Sequence, residues 1–378
     1  MIKVLHIVTL MNRGGLETWL MDSLRKIDRS KIQFDFLVQR DCEGIFDNEI
    51  HSLGGKVIRC IGAPNPFAFS WNYKKALLGH GPYDIVHSHV HHFSGIVNFL
   101  SKLYGVPVTI SHCHNEIYKD RASLSPSKYA YIKLTEYLIR RFSDYGLGCS
   151  MPAASDLFGS DWEQLDNVKV LHCGIDIDSY RKEVDKSSVC RSLNLEDNKL
   201  LIGHVGSFEY QKNHEYLIDT LEELKKRGLD FNAILIGNGD LVPLIKDKVR
   251  GLGLEANVTF LGDRDDVPRL LKAMDIFIFP SHFEGLGLAL IEAQAAGTSC
   301  VISDSIPEEA TVIAPLVTRL SLDSGVTVWC DKIYDIVNKR NVDRHKCYEG
   351  VKESTFNIDN SVQSLSTLYR SLLKRQEL

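Results

Sequence analysis

The chain lacks the segments that would place it in or across a membrane. No stretch reaches the run of about eighteen apolar residues that a membrane-spanning helix needs. The N-terminal segment Met1–Leu10 contains Lys3 and His6, and it has neither the long apolar core nor the small-residue cleavage site of a signal peptide. This segment therefore predicts a first β-strand, and we expect a cytoplasmic protein.

The chain also lacks an excess of basic residues and an even number of cysteines. The 378 residues include 44 Lys and Arg against 49 Asp and Glu, a formal charge of −5, so the global basic field of a nucleic-acid-binding protein is absent. Nine scattered cysteines, an odd number, indicate reduced thiols rather than a disulfide framework. Walker, zinc-finger and G-x-G-x-x-G spacings are absent, and no G-x-S-x-G motif surrounds Ser281.

Short apolar runs alternate with longer amphipathic ones along the whole chain, as in βαβ units with parallel sheets. Strands are predicted at Val4–Leu10, Phe34–Val38, Ile85–His87, Val106–Ser111 and Val168–His172, and then at Lys199–Val205, Phe231–Ile236, Val258–Leu261, Ile276–Pro280 and Ser299–Ser303. The series restarts after the polar stretch 176–198, which resembles a linker, and a single core stops growing near about 250–300 residues. The pattern predicts two doubly wound α/β domains, 1–175 and 176–355, facing each other across a central cleft. A helical segment, 356–378, follows and is expected to pack back on the first domain.

A glycine turn follows the first predicted strand. Gly14 and Gly15 precede a helix that begins near Leu16. Paired glycines let a backbone approach a phosphate, and a helix N-terminus supplies free N–H groups and the positive end of a dipole. A tight turn that binds no ligand is the alternative.

A strand, a turn and a helix follow one another between Phe279 and Glu292. On a helix, Glu284 and Glu292 would lie about 80° apart in azimuth and about 12 Å apart along the axis; we place Glu284 in the turn before the helix. The amides of Gly285–Leu288 would then point at an anion, with one carboxylate on each side. A diphosphate flanked by two polyhydroxylated rings fits, because carboxylates accept hydrogen bonds from hydroxyls.

Glu284-x7-Glu292, preceded by Phe-Pro-Ser, resembles the signature of the retaining, GT-B-fold glycosyltransferases of family 4. The resemblance covers most of the chain, with further matching segments at Gly14–Glu17, Gly206–Asn213, Leu235–Gly239 and Phe260–Gly262. The sequences at Gln211–His214 and Glu292–Gly297 are similar to those of bacterial exopolysaccharide and capsular polysaccharide glycosyltransferases.

The resemblance implies a GT-B fold of two Rossmann-like domains, with the first on the acceptor side and the second binding the nucleotide sugar. It implies transfer of a hexose or N-acetylhexosamine from a nucleotide sugar, with UDP as the expected nucleotide. The acceptor would be a saccharide or a polyprenyl-linked saccharide, and the anomeric configuration would be retained. Neither a metal nor another cofactor is expected.

The resemblance also implies roles for single residues. Glu284 would hold the hydroxyls of the donor sugar, Glu292 would hold the ribose, and Lys212 would neutralise the departing diphosphate. The other donor-binding residues would be Gly14, Gly15, Ser207, Gly237, Gly239, Leu261, Arg264, Ser281, Gly285, Leu286, Gly287 and Leu288. Ser207 departs from the family, which has an arginine there; Arg264 could substitute for it, or the donor could be held differently.

Histidines cluster after two predicted strands. His87, His89, His91 and His92 follow one, and His112 and His114 follow the next. A zinc site and plain core or solvated imidazoles are the alternatives, and we expect no metal because no carboxylate pattern accompanies them. The family places one histidine near the reacting sugar carbon, and His112 and His114 are the candidates. The neighbouring Cys113 and Cys173 are predicted to be buried, inert thiols.

The segment Lys119–Arg141 is basic and contains Tyr and Leu at helical spacing. It predicts either peripheral contact with the inner face of the cell membrane or an ordinary helix with its apolar stripe in the core. Two other functions remain open. A nucleotide-sugar epimerase can share the architecture, and the departure at Ser207 is compatible with a catalytically weak partner subunit.

Overall fold

Parallel strands alternate with helices in two units of the chain. The computed structural model describes residues 1–62, 65–116, 124–338 and 343–376. Unit 1 comprises Met1–Gly174 together with Ile358–Leu378, and unit 2 comprises Ile175–Asn357. No described helix has the length and apolar character needed to cross a membrane.

Unit 1 contains, within its described residues, a parallel sheet in the order β3-β2-β1-β4-β5-β6-β7. Its strands are β1 (Ile2–Val8), β2 (Ile32–Val38), β3 (Val57–Arg59), β4 (Ile85–Ser88), β5 (Val108–Cys113), β6 (Tyr145–Gly148) and β7 (Val168–Val170). The helices between them are α1 (Gly15–Lys26), α2 (Asp47–Ser52), α3 (Pro66–His80), α4 (Ser94–Leu103), α5 (Pro126–Phe142) and α6 (Met151–Phe158). The stretch from Val4 to Val8 is buried throughout, as expected of a central parallel strand covered on both faces.

Unit 2 contains a second parallel sheet, in the order β10-β9-β8-β11-β12-β13 over the part of the chain that the structure describes. Its strands are β8 (Leu200–Val205), β9 (Phe231–Ile236), β10 (Val258–Gly262), β11 (Ile276–Phe279), β12 (Ser299–Ser303) and β13 (Val317–Leu320). Its helices are α7 (Lys186–Ser192), α8 (His214–Lys226), α9 (Val242–Gly251), α10 (Val267–Ala273), α11 (Leu288–Ala295), α12 (Gly325–Asn338) and α13 (Arg344–Glu353).

The last helix, α14 (Ile358–Gln376), belongs to unit 1, where it contacts α1. The indole Nε1 of Trp19 donates to Ser361 Oγ at 3.0 Å, and that hydroxyl donates to the carbonyl of His172 at 3.0 Å. These buried hydrogen bonds hold α14 in unit 1, although Trp19 and Ser361 are far apart in sequence.

Two sequence expectations need correction. Strand β5 begins at Val108 rather than Val106, since Pro107 has no N–H for the ladder, and it continues to Cys113. His112 therefore lies within the strand rather than after it. The stretch 176–198 is not a bare linker, because it contains α7, whose N-cap Asp185 accepts from Ser187 N at 3.1 Å.

Candidate active site

An ion pair joins two loops at the carboxyl edge of the second sheet. Lys212 lies in a short 3-10 helix, Tyr210–Lys212, after β8, and Glu284 lies in the loop between β11 and α11. Strands β8 and β11 are neighbours, so the loops that follow them meet. The ammonium Nζ of Lys212 lies 2.7 Å from Glu284 Oε1, and Gln211 Nε2 donates to Oε2 at 3.1 Å.

This pair is largely shielded from water. Glu284 is 4% exposed, and the side chain of Lys212 is 16% exposed, with Nζ 4.9 Å from the centre of the Phe279 ring. A buried carboxylate is tolerated only when cations and donors compensate for its lost hydration, and here each oxygen has a partner. The ammonium has three hydrogens, so one contact with Glu284 leaves it able to bind further oxygens.

The N-terminus of α11 lies beside this pair. Gly287 caps the helix with φ +87°, a left-handed conformation that favours glycine. A Cβ added there would lie 3.8 Å from Glu284 Cγ, so the carboxylate and the start of α11 are adjacent. Gly285 and Leu286 are buried, and Glu292 lies on the second turn of α11, partly exposed. Free amides and the positive dipole end make this terminus suitable for an anion.

Ser281 stands out among the predicted donor-binding residues. It is fully buried, and its hydroxyl has no hydrogen-bond partner among the described residues, whereas its carbonyl accepts from Ser303 Oγ at 2.6 Å and from Ser305 Oγ at 2.8 Å. The next residue, His282, stacks on Tyr210 with ring centroids 4.4 Å apart. The loop after β11 is therefore tied both to β12 and to the loop that contains Lys212.

Close packing requires glycine at two of the predicted nucleotide-binding positions. Gly237 has φ +128°, and a Cβ there would overlap the carbonyl oxygen of Gly206. Gly239 has φ +154°, and its Cβ would lie 2.6 Å from the carbonyl oxygen of Phe208. The loop after β9 thus packs directly on the loop after β8. Their contact with a nucleotide stays a prediction.

The remaining predicted residues of unit 2 surround the same edge. Ser207 is exposed, and Leu261, in β10, is partly exposed. Arg264 forms two hydrogen bonds with the carboxylate of Asp266, at 2.8 and 3.0 Å, and its side chain is 34% exposed. The guanidinium is therefore already paired with an acid of its own loop, and its substitution for the missing family arginine stays a prediction.

In unit 1, the glycine turn leads directly into α1. Gly14 is the N-cap and Gly15 is the first helical residue, and Glu17 lies in the first turn. Burial raises the pKa of the Glu17 carboxyl to about 7, and a backbone hydrogen bond opposes that shift. The site predicted at this turn is thus bordered by a titratable carboxyl group.

The carboxyl edge of the first sheet contains a group of interlocked imidazoles that we call the histidine cluster. Its members are His6, His87, His89, His112 and His114. Nitrogen atoms of His6 and His89 lie 3.0 Å apart, and those of His89 and His114 lie 2.8 Å apart. The strand order β1-β4-β5 brings these residues together.

Burial keeps the histidine cluster uncharged. Desolvation lowers the pKa of His6 and of His114 to about 3, with repulsion from a neighbouring imidazole as a further cause. The pKa values of His87, His89 and His112 fall well below 6.5, first through burial and then through mutual repulsion. Neutral imidazoles can each donate one hydrogen bond and accept another.

A buried tyrosine holds one end of a chain of imidazoles. Tyr369 Oη lies 2.7 Å from His87 Nδ1, and burial keeps the phenol protonated, so either atom can be the donor. His87 Nε2 lies 3.2 Å from His112 Nδ1, and the direction of this hydrogen bond follows the tautomer of His87. The buried Nε2 of His112 has no hydrogen-bond partner among the described residues. Both nitrogens of His114 are engaged, by His89 and by Cys173 Sγ at 3.5 Å.

The sequence interpretation omitted several residues of these two edges. Gln211 adjoins Lys212 in the same turn, so its position in the sequence could have indicated that it belongs to the site. Tyr369 gave no such indication, because only the folded chain brings α14 to β4. The basic residues Lys119 and Arg121 lie outside the described residues.

Comparison with known proteins gives concordant matches to both units. Residues 13–179 match the family model described as Glycosyltransferase Family 4, and residues 185–354 match the model described as Glycosyl transferases group 1. The putative glycosyltransferase EpsF of Bacillus subtilis (strain 168) is 34% identical over 372 residues, covering 97% of this chain and 96% of that protein.

Two further proteins extend the match. The capsular polysaccharide biosynthesis glycosyltransferase CapH of Staphylococcus aureus is 28% identical over 376 residues, covering 98% of this chain and 99% of that protein. The crystal structure of Anabaena HepE in complex with UDP-glucose superposes with a TM-score of 0.72 at 19% identity, covering all of this chain and 98% of that one. The last match confirms the predicted α/β fold of GT-B type.

Proposed function

The chain belongs to the family 4 glycosyltransferases that act in polysaccharide synthesis, and on that premise we propose that it transfers a hexose or N-acetylhexosamine from a UDP-sugar with retention of anomeric configuration. The acceptor that we propose is a saccharide, free or lipid-linked. The Lys212–Glu284 pair beside the N-terminus of α11 carries the proposal.

The pair offers the two kinds of group that a nucleotide sugar needs. Lys212 and the first amides of α11 supply positive charge and N–H donors, which suit a diphosphate. Glu284 supplies two carboxylate oxygens, which accept hydrogen bonds from sugar hydroxyls. Glu292, on the same helix, would accept from the ribose. The glycosyl carbon would then lie between the acidic and the basic parts of the site.

In the reaction that we propose, the bond between the anomeric carbon and the diphosphate oxygen breaks as positive charge develops on the sugar. Lys212 and the α11 amides stabilise the departing diphosphate. An acceptor hydroxyl forms the new bond on the same face of the sugar, and its proton passes to an oxygen of the leaving diphosphate. The products are UDP and the extended glycoside, and no step requires a metal ion.

The assignment of UDP as the nucleotide has structural and family support. Anabaena HepE is described in complex with UDP-glucose, and its fold matches this chain. Leu261 lies near the carboxyl end of β10, where the resemblance places the nucleotide base. A thermal-shift series of UDP-, GDP- and ADP-sugars tests this choice, since a ligand at a hundredfold excess over its dissociation constant adds about 2.7 kcal/mol of stability. UDP-sugars are expected to give the largest shift.

The activity test compares the wild type with two glutamate variants. Glu284→Gln removes the carboxylate charge and is expected to lower UDP release by at least about a hundredfold with acceptor present. Glu209→Gln, at an exposed neighbouring position, is the matched control and is expected to retain normal release. Near-normal turnover by Glu284→Gln would contradict the assignment. Interconversion of two UDP-sugars without acceptor and without UDP release would instead indicate an epimerase.

A lipid-linked acceptor would require contact with a membrane surface, and α5 has a suitable outer face. Leu134 and Tyr137 are 57% and 63% exposed, whereas only Ile132, Thr135 and Ile139 are buried. The exposed basic residues of the helix are Lys128, Lys133, Arg140 and Arg141. Exposed aromatic and basic groups on one helix suit an anionic lipid surface. The apolar residues of α5 are thus divided between the core and the outer face.

Vesicle flotation with phosphatidylglycerol-containing vesicles tests this contact. Leu134→Asp is expected to reduce co-flotation several-fold. Leu244→Asp, at a position of α9 that is 51% exposed, is the matched control and is expected to leave it unchanged. Equal behaviour of the two variants would contradict a specific membrane contact through α5 and leave the transferase assignment intact.

A further inference from the structure

Three potential ligands of different chemistry converge on the face of the first sheet opposite the histidine cluster. Cys113 is the last residue of β5, and its side chain points away from those of His112 and His114 because strand residues alternate. His91 lies in a 3-10 helix, His91–Phe93, after β4, and Asp156 lies in α6. One donor atom of each of these three residues lies within 4.8 Å of the others, and His91 Nε2 is 2.9 Å from Asp156 Oδ2.

The three side chains are withdrawn from water. Cys113 is fully buried, and the side chains of Asp156 and His91 are 4% and 14% exposed. Burial raises the pKa of the Cys113 thiol. Burial also lowers the pKa of His91, but the influence of Cys113 and Asp156 outweighs it and raises the value to about 10. The group therefore concentrates a thiol, an imidazole and a carboxylate in a region of low dielectric.

We propose that His91, Cys113 and Asp156 bind one zinc ion. Thiolate sulfur, imidazole nitrogen and carboxylate oxygen are the ligands that zinc takes in proteins, at about 2.0–2.3 Å. Nitrogen and oxygen ligands of a tetrahedral site lie about 3.3 Å apart, so a few tenths of an ångström would open the His91–Asp156 contact enough. Binding would release the thiol proton and the imidazolium proton to solvent. The site is independent of the proposed transferase function.

The group does not suit nucleophilic catalysis. A Cys–His–Asp combination can activate a thiol, but the Cys113 side chain is fully buried, and its sulfur contacts the carbonyl of Asn115 at 3.1 Å. A substrate could not reach that sulfur without opening the sheet edge, whereas a small ion needs only the partly exposed side of His91.

Cobalt substitution provides a direct test. The full-length protein, stripped with a chelator, is titrated with Co²⁺, and the absorption of tetrahedral cobalt with its thiolate-to-metal charge-transfer band is recorded. One equivalent per chain with a thiolate band is expected. Cys113→Ser should abolish the band, and Asp156→Asn should weaken binding by more than about tenfold, since even outer partners of metal ligands contribute that much.

Two cysteine variants are the controls. Cys60→Ser changes another fully buried thiol of unit 1, and Cys173→Ser removes the thiol beside His114 that a site in the histidine cluster could recruit. Both should retain the band. Binding without a thiolate band would assign the metal to imidazoles alone, and a band that persists in Cys113→Ser would assign it elsewhere. Either result, or the absence of stoichiometric binding by a folded protein, would overturn the proposal.

Discussion

The carboxyl edges of the two sheets both contain buried polar side chains, and the two edges stabilise them in different ways. Both edges place polar side chains in surroundings that penalise charge. In unit 1 the histidine cluster stays neutral, and its imidazoles bond to one another. In unit 2, Lys212 and Glu284 form a buried ion pair in which each group compensates for the lost hydration of the other. Unit 2 therefore presents an ion pair at this edge, whereas the histidine cluster of unit 1 offers neutral donors and acceptors.

Acid should have its largest effect at the histidine cluster. A group whose folded pKa lies below its unfolded value of 6.5 loses stability as the pH falls, because the unfolded chain takes up protons that the native chain cannot. Between pH 7.5 and 5.5 each such imidazole costs about 1.4 kcal/mol. Unit 1 has five such imidazoles in the histidine cluster. In unit 2, burial lowers the pKa to about 4 for His204 and to about 2 for His214, and it also lowers the pKa of His282.

Two groups of unit 1 offset part of this loss. Glu17, with its pKa raised to about 7, gains protons over the same interval and restores about 2 kcal/mol. His91, with its pKa raised to about 10, binds its proton more fully in the native chain than in the unfolded chain across the interval, so it restores about 1.4 kcal/mol. Hydrogen exchange by segment at the two pH values should show reduced protection at pH 5.5 in β1, β4 and β5, the strands beside the histidine cluster. Unchanged protection of these strands would refute the prediction.

Removing the charge of Lys212, at the carboxyl edge of the second sheet, should have the next largest effect. Lys212→Met leaves the diphosphate without its ammonium and is expected to lower kcat about 100- to 1000-fold, or about 3–4 kcal/mol in activation free energy. Lys248→Met, which breaks an ion pair with Asp219 of 2.7 Å, is the matched control and should leave kcat unchanged. Steady-state kinetics with saturating donor distinguish the two. A change confined to KM would show that Lys212 only binds the donor.

The loop packing behind that edge gives a prediction about stability. Gly237→Ala combines a φ of +128° with overlap on Gly206, and it should lower the free energy of unfolding of unit 2 by about 3 kcal/mol. Gly253→Ala has φ +65° but open space around its Cβ, so it should cost only about 1 kcal/mol. Urea denaturation of both variants measures the difference. Equal losses of unfolding free energy in the two variants would mean that the loop after β9 moves to accommodate the added methyl group at little cost.

Much of the fold followed from local pattern. Runs of Val, Ile and Phe marked most long strands, and the turn-to-helix segment around Gly287 followed from the glycines before an apolar helix. Short elements were missed where local preference conflicts with packing. Strand β6 contains Gly146 and Gly148, which have low strand propensity, yet a Cβ on Gly148 would lie 2.6 Å from Ala154 of α6. Only the neighbouring helix explains those glycines.

The direct contacts between the site residues could not be predicted from the sequence. The motif suggested that Glu284 and Lys212 act on one donor, but it gave no reason for a direct ion pair across 72 residues. The sequence placed His112 and His114 together after one predicted strand, but the partners of each imidazole depend on the strand order β1-β4-β5. The contact of Tyr369 with His87 spans 282 residues. Such pairs are set by tertiary packing alone.

The smallest predicted effect concerns that tyrosine, and it tests how the neutral edge is organised. Tyr369→Phe removes the hydroxyl bonded to His87 and should cost about 1–2 kcal/mol of stability. Tyr73→Phe removes a buried hydroxyl bonded to Ser101 at 2.6 Å, outside the histidine cluster, and should cost about the same. Only the first should change the ring-nitrogen NMR shifts of His87 and His112, because His87 Nδ1 then loses its hydrogen-bond partner. If both variants leave those shifts unchanged, Tyr369 is a packing residue and the proton on His112 is set by its other neighbours.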